Sequence, residues 1–459
     1  MESKKILGNR EFLGLAVKLA MPIMVQNLIS TLVSSADTVM LGYGSQTAMA
    51  ASSLANEYTF LLFCIYFGLS AGTSVLCAQY WGRGDKQTVE RILGLTVRIT
   101  VIASAAFFGV SFFFPRAIMG LFTASPETIA GGAEYLRVLS VSFVFMGFSQ
   151  IYVSALRSVG KVVFPSVTYV VSLLVNVFFN ASFIFGLFGL PKLGVVGVAI
   201  GTVIARLVEA GMCIVYSVLS RDVRFRVKYL FARAGVLLGD FGRISLPSVA
   251  NDAVWGLAAS VFAAILGRIG DDMVAANAVA VMVVNIGAIA CRGFANATTI
   301  VVSQALGGGN LEAAKLYSGR MLRLTIGVSL VGCCVMLLIR PWMLGCYADK
   351  LSETALSYLS AMMIMTTWRL GGEGINTCLI CGCFRGGGDS RFGMILDTVF
   401  MWGVAVPLMA AAAYLIKLPP IWVYFVMTLD EIEKMPVVIA HYRKFGWMKN
   451  ITREAAELE

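Results

Sequence analysis

Gly72–Thr100 reads GTSVLCAQYWGRGDKQTVERILGLTVRIT, and Ala297–Thr325 reads ATTIVVSQALGGGNLEAAKLYSGRMLRLT. The two superimpose without a gap at an offset of 225 positions. Thr73 falls on Thr298, Gln79 on Gln304, Gly82 on Gly307 and Gly84 on Gly309. Gly94, Arg98 and Thr100 then fall on Gly319, Arg323 and Thr325. The same offset places Leu41-Gly42 on Leu266-Gly267, Ala50-Ala51 on Ala275-Ala276, and Gly68 on Gly293. The chain is written twice. A membrane protein built from two same-sense halves usually moves something through the interface between them.

Working outward, the composition requires a membrane. Hydrophobic residues make up 58% of the 459 and charged residues only 14%, with a mean hydropathy of +0.81. Soluble domains carry about a quarter charged residues. A spanning helix needs roughly 20 apolar residues, and twelve such segments can be read. They lie near 14–41, 49–80, 92–114, 132–156, 162–188, 194–219, 244–267, 274–305, 320–340, 354–383, 392–416 and 418–440. Six fall in each copy. The runs are continuous rather than alternating, which excludes a transmembrane β-barrel. The expected fold is an all-α membrane protein of twelve transmembrane helices in two homologous six-helix lobes.

The net charge of +10 suggests nucleic acid until its placement is read. With a cytoplasmic N-terminus, the inner loops and tails hold 23 Lys and Arg and the outer loops 6. That is the positive-inside bias, and it predicts a multi-pass inner-membrane protein with both termini cytoplasmic. Nucleic acid is not needed as a partner. The first apolar run is long, carries Pro22 and lacks a small-residue cleavage site, so it reads as helix one and not as a signal peptide. The Cys378, Cys381, Cys383 run reads as small packing residues, because no histidine or second cysteine pair accompanies it as a zinc site would require.

Expected domains are an N-terminal lobe (1–219), a cytoplasmic linker with a short interfacial helix (220–243), a C-terminal lobe (244–442) and a cytoplasmic tail (443–459). In the tail, Arg443 to Lys449 reads as a basic, aromatic interfacial anchor. Gln79–Asp85 and Gln304–Asn310 read as equivalent glycine-assisted turns. The Lys-Ser/Thr of a phosphate-binding loop follows neither.

Pro22 followed by Asp37, Leu41-Gly42 with Ala50-Ala51, the Gln79–Asp85 turn, and Arg385-Gly386-Gly387-Gly388-Asp389 resemble the multidrug and toxic compound extrusion (MATE) family. Ala78-Gln79-Tyr80-Trp81-Gly82 and Asn251-Asp252-Ala253-Val254-Trp255-Gly256 look most like its bacterial branches. The likeness runs from about Leu13 to Lys449. It implies a V-shaped pair of lobes related by a pseudo-two-fold axis, and export of organic cations and drugs driven by inward Na⁺ or H⁺.

Ionisable groups inside spanning helices are costly and are functional suspects. Asp37 is the first; the resemblance makes it the coupling aspartate, while its position alone also fits an interfacial carboxylate. Asn176 and Asn180, spaced i, i+4 on helix five with Tyr169 and Ser172 toward the other end, supply donors and acceptors for a carboxylate or a partly dehydrated Na⁺. Interhelical hydrogen bonding is the plainer reading. In the family this stretch helps build the cation site, and some members carry an aspartate where Asn180 stands.

Further intramembrane charges are Glu57, Arg206, Glu209, Asp252, Arg292, Arg369, Glu373 and Asp397. Arg369 with Glu373 and Arg206 with Glu209 are expected to neutralise each other along one helix. Asp252, flanked by Asn251 and Trp255, has no close basic neighbour and is the second-lobe candidate. Met365 and Trp368 on helix ten are candidates for substrate contact, since thioethers and rings adapt to cations of varied shape. His441 is the only histidine, so a proton relay must use carboxylates. No cofactor is expected beyond the coupling ion, and no enzymatic constellation is found. The partners expected are a drug-like organic cation and the bilayer, with the chain monomeric. A lipid-linked oligosaccharide flippase of the same doubled design is the alternative; it would line its cavity with several free cations.

Overall fold

The computed structural model describes residues 7–42, 46–220, 222–232, 235–349 and 351–454, with the side chains of 30–42 and 46–49 outside that description. Each of the twelve expected segments is helical. The first half holds α1 (Asn9–Gly42), α2 (Gln46–Arg83), α3 (Lys86–Phe113), α4 (Pro126–Ser140 and Phe143–Ser158), α5 (Val163–Phe185) and α6 (Gly194–Leu219). The second holds α7 (Gly235–Ile269), α8 (Asp271–Gly307), α9 (Leu311–Tyr347), α10 (Glu353–Asn376) and α11 (Ser390–Leu415). Last comes α12, made of Pro420–Thr428, Asp430–Glu433 and Met435–Lys444. Among the described residues nine helices are long and apolar enough to cross a bilayer, and the two halves of α4, bent by 51°, make a tenth. α10 dilutes its apolar run with Ser, Thr, Arg369 and Glu373, and α12 is broken into short pieces. After Asn376, α10 continues as a π-helix over Thr377–Phe384.

The sequence repeat is also a repeat of bonds. Gly84 and Gly309 both adopt left-handed φ, +90° and +75°, which closes α2 and α8. Asp85 then caps α3 by accepting from the Thr88 amide at 3.0 Å, and Asn310 caps α9 by accepting from the Ala313 amide at 2.9 Å. Such caps satisfy amides the helix cannot pair internally. Thr73 and Thr298 hydroxyls donate back to the Leu69 and Phe294 carbonyls. Even buried side-chain contacts correspond. Tyr66 meets Ser104 at 2.7 Å, and Cys291 meets Ser329 at 3.3 Å. Pro22 in α1 and Pro247 in α7 are likewise equivalent.

By contact, the chain divides into two compact units. One comprises residues up to Met24 and Leu246–Thr452; the other comprises Val25–Ser245 and Arg453 onward. The boundary therefore runs through α1 just past Pro22. In the first unit Phe12 stacks on Tyr317, with ring centroids 5.0 Å apart. A β-carbon on Gly293 would collide with Met24.

Where a short surface helix is expected over 220–243, the described residues form one 3₁₀ turn, Val227–Tyr229, and Gly235 onward is continuous with α7. The tail also departs from expectation. Trp447 is fully buried rather than interfacial. It stacks on Tyr442 and donates from Nε1 to the Tyr442 carbonyl at 3.1 Å. The glycine run of 386–388 permits this, because a β-carbon on Gly387 would strike the Trp447 backbone. Lys449 and His441 both bind Asp389, at 3.0 and 2.9 Å.

Candidate functional site

Helix α5 is almost wholly apolar except on one edge. Thr168, Ser172, Asn176 and Asn180 recur every fourth residue, and all four are buried. This spacing stacks side chains along one face. Asn180 Nδ2 donates to Asn176 Oδ1 at 3.2 Å, and Asn176 Nδ2 donates to Thr202 Oγ1 of α6 at 3.2 Å. One turn farther along, the Ser172 hydroxyl donates to Glu209 at 3.3 Å, and Arg206 pairs with the same carboxylate oxygen at 2.6 Å. The expected Arg206–Glu209 pairing is present. Tyr169 lies off this seam and donates to Gln150 at 3.0 Å. Asp37 belongs to α1, but its side chain lies outside the described residues.

Gly201 makes room for the seam: a β-carbon there would collide with Asn180 Oδ1. Gly201→Ala is therefore expected to displace the Asn180 carboxamide. Ion-driven transport should fall about tenfold, the equivalent of about 1.4 kcal/mol, with the elution profile of the detergent-solubilised protein unchanged. Unaltered transport rates in liposomes would show that the carboxamide position is unimportant.

The second copy provides an internal comparison. At the repeat offset, Asn176 becomes Met401, Thr202 becomes Met427, Asn180 becomes Ala405 and Gly201 becomes Val426. All four lie in one apolar cluster. This helix pair packs without any of the polar groups. The carboxamide seam is thus not a requirement of the fold.

The Ser172–Arg206–Glu209 triad does persist, with altered charges. Its equivalents are Asp397, Glu431 and Lys434. Lys434 Nζ lies 3.1 Å from Asp397 Oδ1 and 3.2 Å from Glu431 Oε1. The ion pair on α6 runs Arg to Glu; on α12 it runs Glu to Lys. Asn251 Nδ2 donates to Asp397 at 2.9 Å, and Asn376 Nδ2 to Glu431 at 2.8 Å.

Several second-lobe expectations are corrected. Arg369 and Glu373 do not neutralise each other. Arg369 faces Asp430 at 3.5 Å and Glu373 faces Arg292 at 3.6 Å, because α12 and α8 present opposite charges to α10. Asp252 does have a basic neighbour, Arg385 at 3.8 Å, brought by the turn after α10. Met365 packs against the apolar cluster that contains Met362 and Met363, while Trp255 and Trp368 are 38% and 60% exposed. Glu57 is exposed. The residues missed were Asp430, Glu431 and Lys434. Their signal was the run Asp430 to Lys434 inside the twelfth apolar segment, together with its repeat relation to Arg206 and Glu209.

The family model described as MatE matches residues 22–182 and 248–410. The chain belongs to the MATE family. It is a multi-pass membrane transporter, not an enzyme. An uncharacterised transporter of Bacillus subtilis, YisQ, is 24% identical, covering 94% of each chain. A probable multidrug resistance protein of Thermotoga maritima, NorM, is 23% identical, covering 95% of this chain and 94% of its own. The multidrug resistance protein PmpM of Pseudomonas aeruginosa is 25% identical over 85% of this chain and 81% of its own. Among solved structures, a MATE protein in its straight conformation superimposes with a TM-score of 0.85 at 20% identity, covering 94% and 95% of the two chains. A MOP-superfamily transporter from Pyrococcus furiosus gives 0.85 at 20%, covering 96% and 98%. These structural likenesses establish the MATE fold, twelve helices in two lobes.

Proposed function

We propose that this MATE protein is a secondary active exporter of organic, drug-like cations, driven by inward Na⁺ or H⁺ and acting as a monomer in the cytoplasmic membrane with both termini inside. The observation that carries this reading is the buried Asn176–Asn180 seam, which the apolar second copy makes unnecessary for folding. Buried polar groups kept without structural need in a membrane are functional suspects. Asp37 is assigned the charge that the ion engages, and the seam the oxygen and amide groups around it. A ligand shifts a two-state protein only by its differential affinity for the two states. Ion and drug must therefore favour opposite states.

Support also comes from relatives named as multidrug resistance proteins. Against the flippase reading, Arg206, Arg292, Arg369 and Lys434 each face a carboxylate and are not free to meet a pyrophosphate. The test is efflux of a fluorescent organic cation from proteoliposomes under separately imposed Na⁺ and pH gradients. Export under at least one gradient is expected. None under either, at full incorporation, would end the exporter reading.

A further inference from the structure

The acid–base cluster of α10–α12 does not balance. In the first copy the triad is Arg206, Glu209 and a neutral Ser172, one charge of each sign. In the second, three carboxylates are buried together: Asp397, Asp430 and Glu431, 7%, 1% and 4% exposed. Against them stand two cations, Lys434 and Arg369. Two further pairs border the cluster, Asp252 with Arg385 and Glu373 with Arg292. Arg385 also faces Asp397 and Glu373 also faces Arg369, so over the whole network the carboxylates Asp397, Asp430, Glu431, Asp252 and Glu373 outnumber the cations Lys434, Arg369, Arg385 and Arg292 by one. One negative charge is left over in a low-dielectric interior, where an uncompensated ion costs far more than a neutral acid.

Hydrogen bonding points the same way. Among the described residues neither oxygen of Asp430 has a hydrogen-bond partner, nor does Asn376 Oδ1. Arg369 Nε stands 3.5 Å from Asp430 as an ion pair without a hydrogen bond. Asn376 is 2% exposed, so water does not readily substitute. The cluster has more acceptors than donors, and buried acceptors are normally satisfied. One added O–H would remove the surplus charge and supply a donor where acceptors are in excess.

We propose that this cluster is a second ionic centre, in the C-terminal half, which binds one proton shared among Asp397, Asp430 and Glu431 while Lys434 and Arg369 remain charged. The proton resides on a carboxyl oxygen and donates to a neighbouring carboxylate or to Asn376 Oδ1. Releasing it requires exposing the cluster to water or bringing a cation near. Protonation here would therefore follow conformation, separately from events at Asp37. The repeat shows how the centre arose: polarity reversed relative to α6, with Asp430 added where the first copy has Ala205.

The test is the infrared carbonyl stretch of protonated carboxylic acids, recorded on the full-length protein in liposomes at neutral pH. It needs no substrate, so its failure leaves the exporter reading untouched. Wild type minus Asp430→Asn is expected to show one dry carboxylic acid, because two carboxylates then balance two cations. Asp397→Asn and Glu431→Gln should lose the same single band by the same count, and they serve if Asp430→Asn does not fold. Lys434→Met should double that band relative to wild type. Spectra of the three carboxamide variants superimposable on wild type, or no gain in Lys434→Met, would overturn the proposal.

Discussion

Asn180→Ala is expected to lower ion-driven export at least tenfold while leaving the protein folded, and Asp37→Asn to abolish its ion dependence. Folding should survive, since Ala405 already occupies the equivalent place in the second copy, inside a packed apolar cluster. The loss follows from the seam's geometry. Asn180 is fully buried and donates to Asn176 at 3.2 Å, which in turn donates to Thr202 at 3.2 Å. Removing the first member leaves Asn176 Oδ1 short of a donor and withdraws a carboxamide from any ion held beside it. A hydrogen bond to a charged group is worth about 1.5–3 kcal/mol, or roughly one to two powers of ten in affinity. Efflux rates from proteoliposomes at fixed ion gradients, compared at equal incorporation, check this. Wild-type rates in both variants would place the coupling ion elsewhere.

A second large effect is expected in the α6 ion pair. Arg206→Glu alone would set two carboxylates together beside Ser172, in a place where Glu209 is 2% exposed. Breaking a buried pair costs about 3–5 kcal/mol, enough to lower the thermal midpoint sharply and deplete the monodisperse peak. Adding Glu209→Lys should recover most of that loss. The double variant reproduces the Glu-to-Lys order that Glu431 and Lys434 already hold on α12 at 3.2 Å. Thermal unfolding in detergent, followed for the single and double variants, checks this. If the double variant were no more stable than the single, the two triads would not be interchangeable environments.

Most of the fold was legible because its signals are local and repeated. Twelve apolar runs and paired glycine turns need no knowledge of neighbours. Asn176 and Asn180 were legible for the same reason, as an i, i+4 pair on one otherwise apolar helix. Side-chain partnerships across helices were not. Arg369 and Glu373 satisfy the spacing rule for an intrahelical pair, yet each finds its partner on another helix, Asp430 and Arg292. Tertiary contact outweighs a local pairing worth only a few tenths of a kcal/mol. Lys434 escaped notice because the twelfth run averages apolar, and its neutralisation by Asp397 depends on α11. Tail residue Trp447 looked interfacial by composition; its burial depends on a gap left by Gly387, sixty positions earlier in the chain.

The reversed triads bear on how such a chain can be recombined. In the first half both charges, Arg206 and Glu209, sit on α6 and α5 offers only Ser172; in the second they are divided, Asp397 on α11 and Glu431 with Lys434 on α12. Grafting α11 alone into the position of α5 would put an aspartate in place of Ser172, against Glu209, and the two would repel. Grafting the hairpin whole carries both signs along. The smallest exchangeable piece of this transporter is thus a pair of helices, and chimeras cut between the members of a pair should fail where those cut between pairs survive.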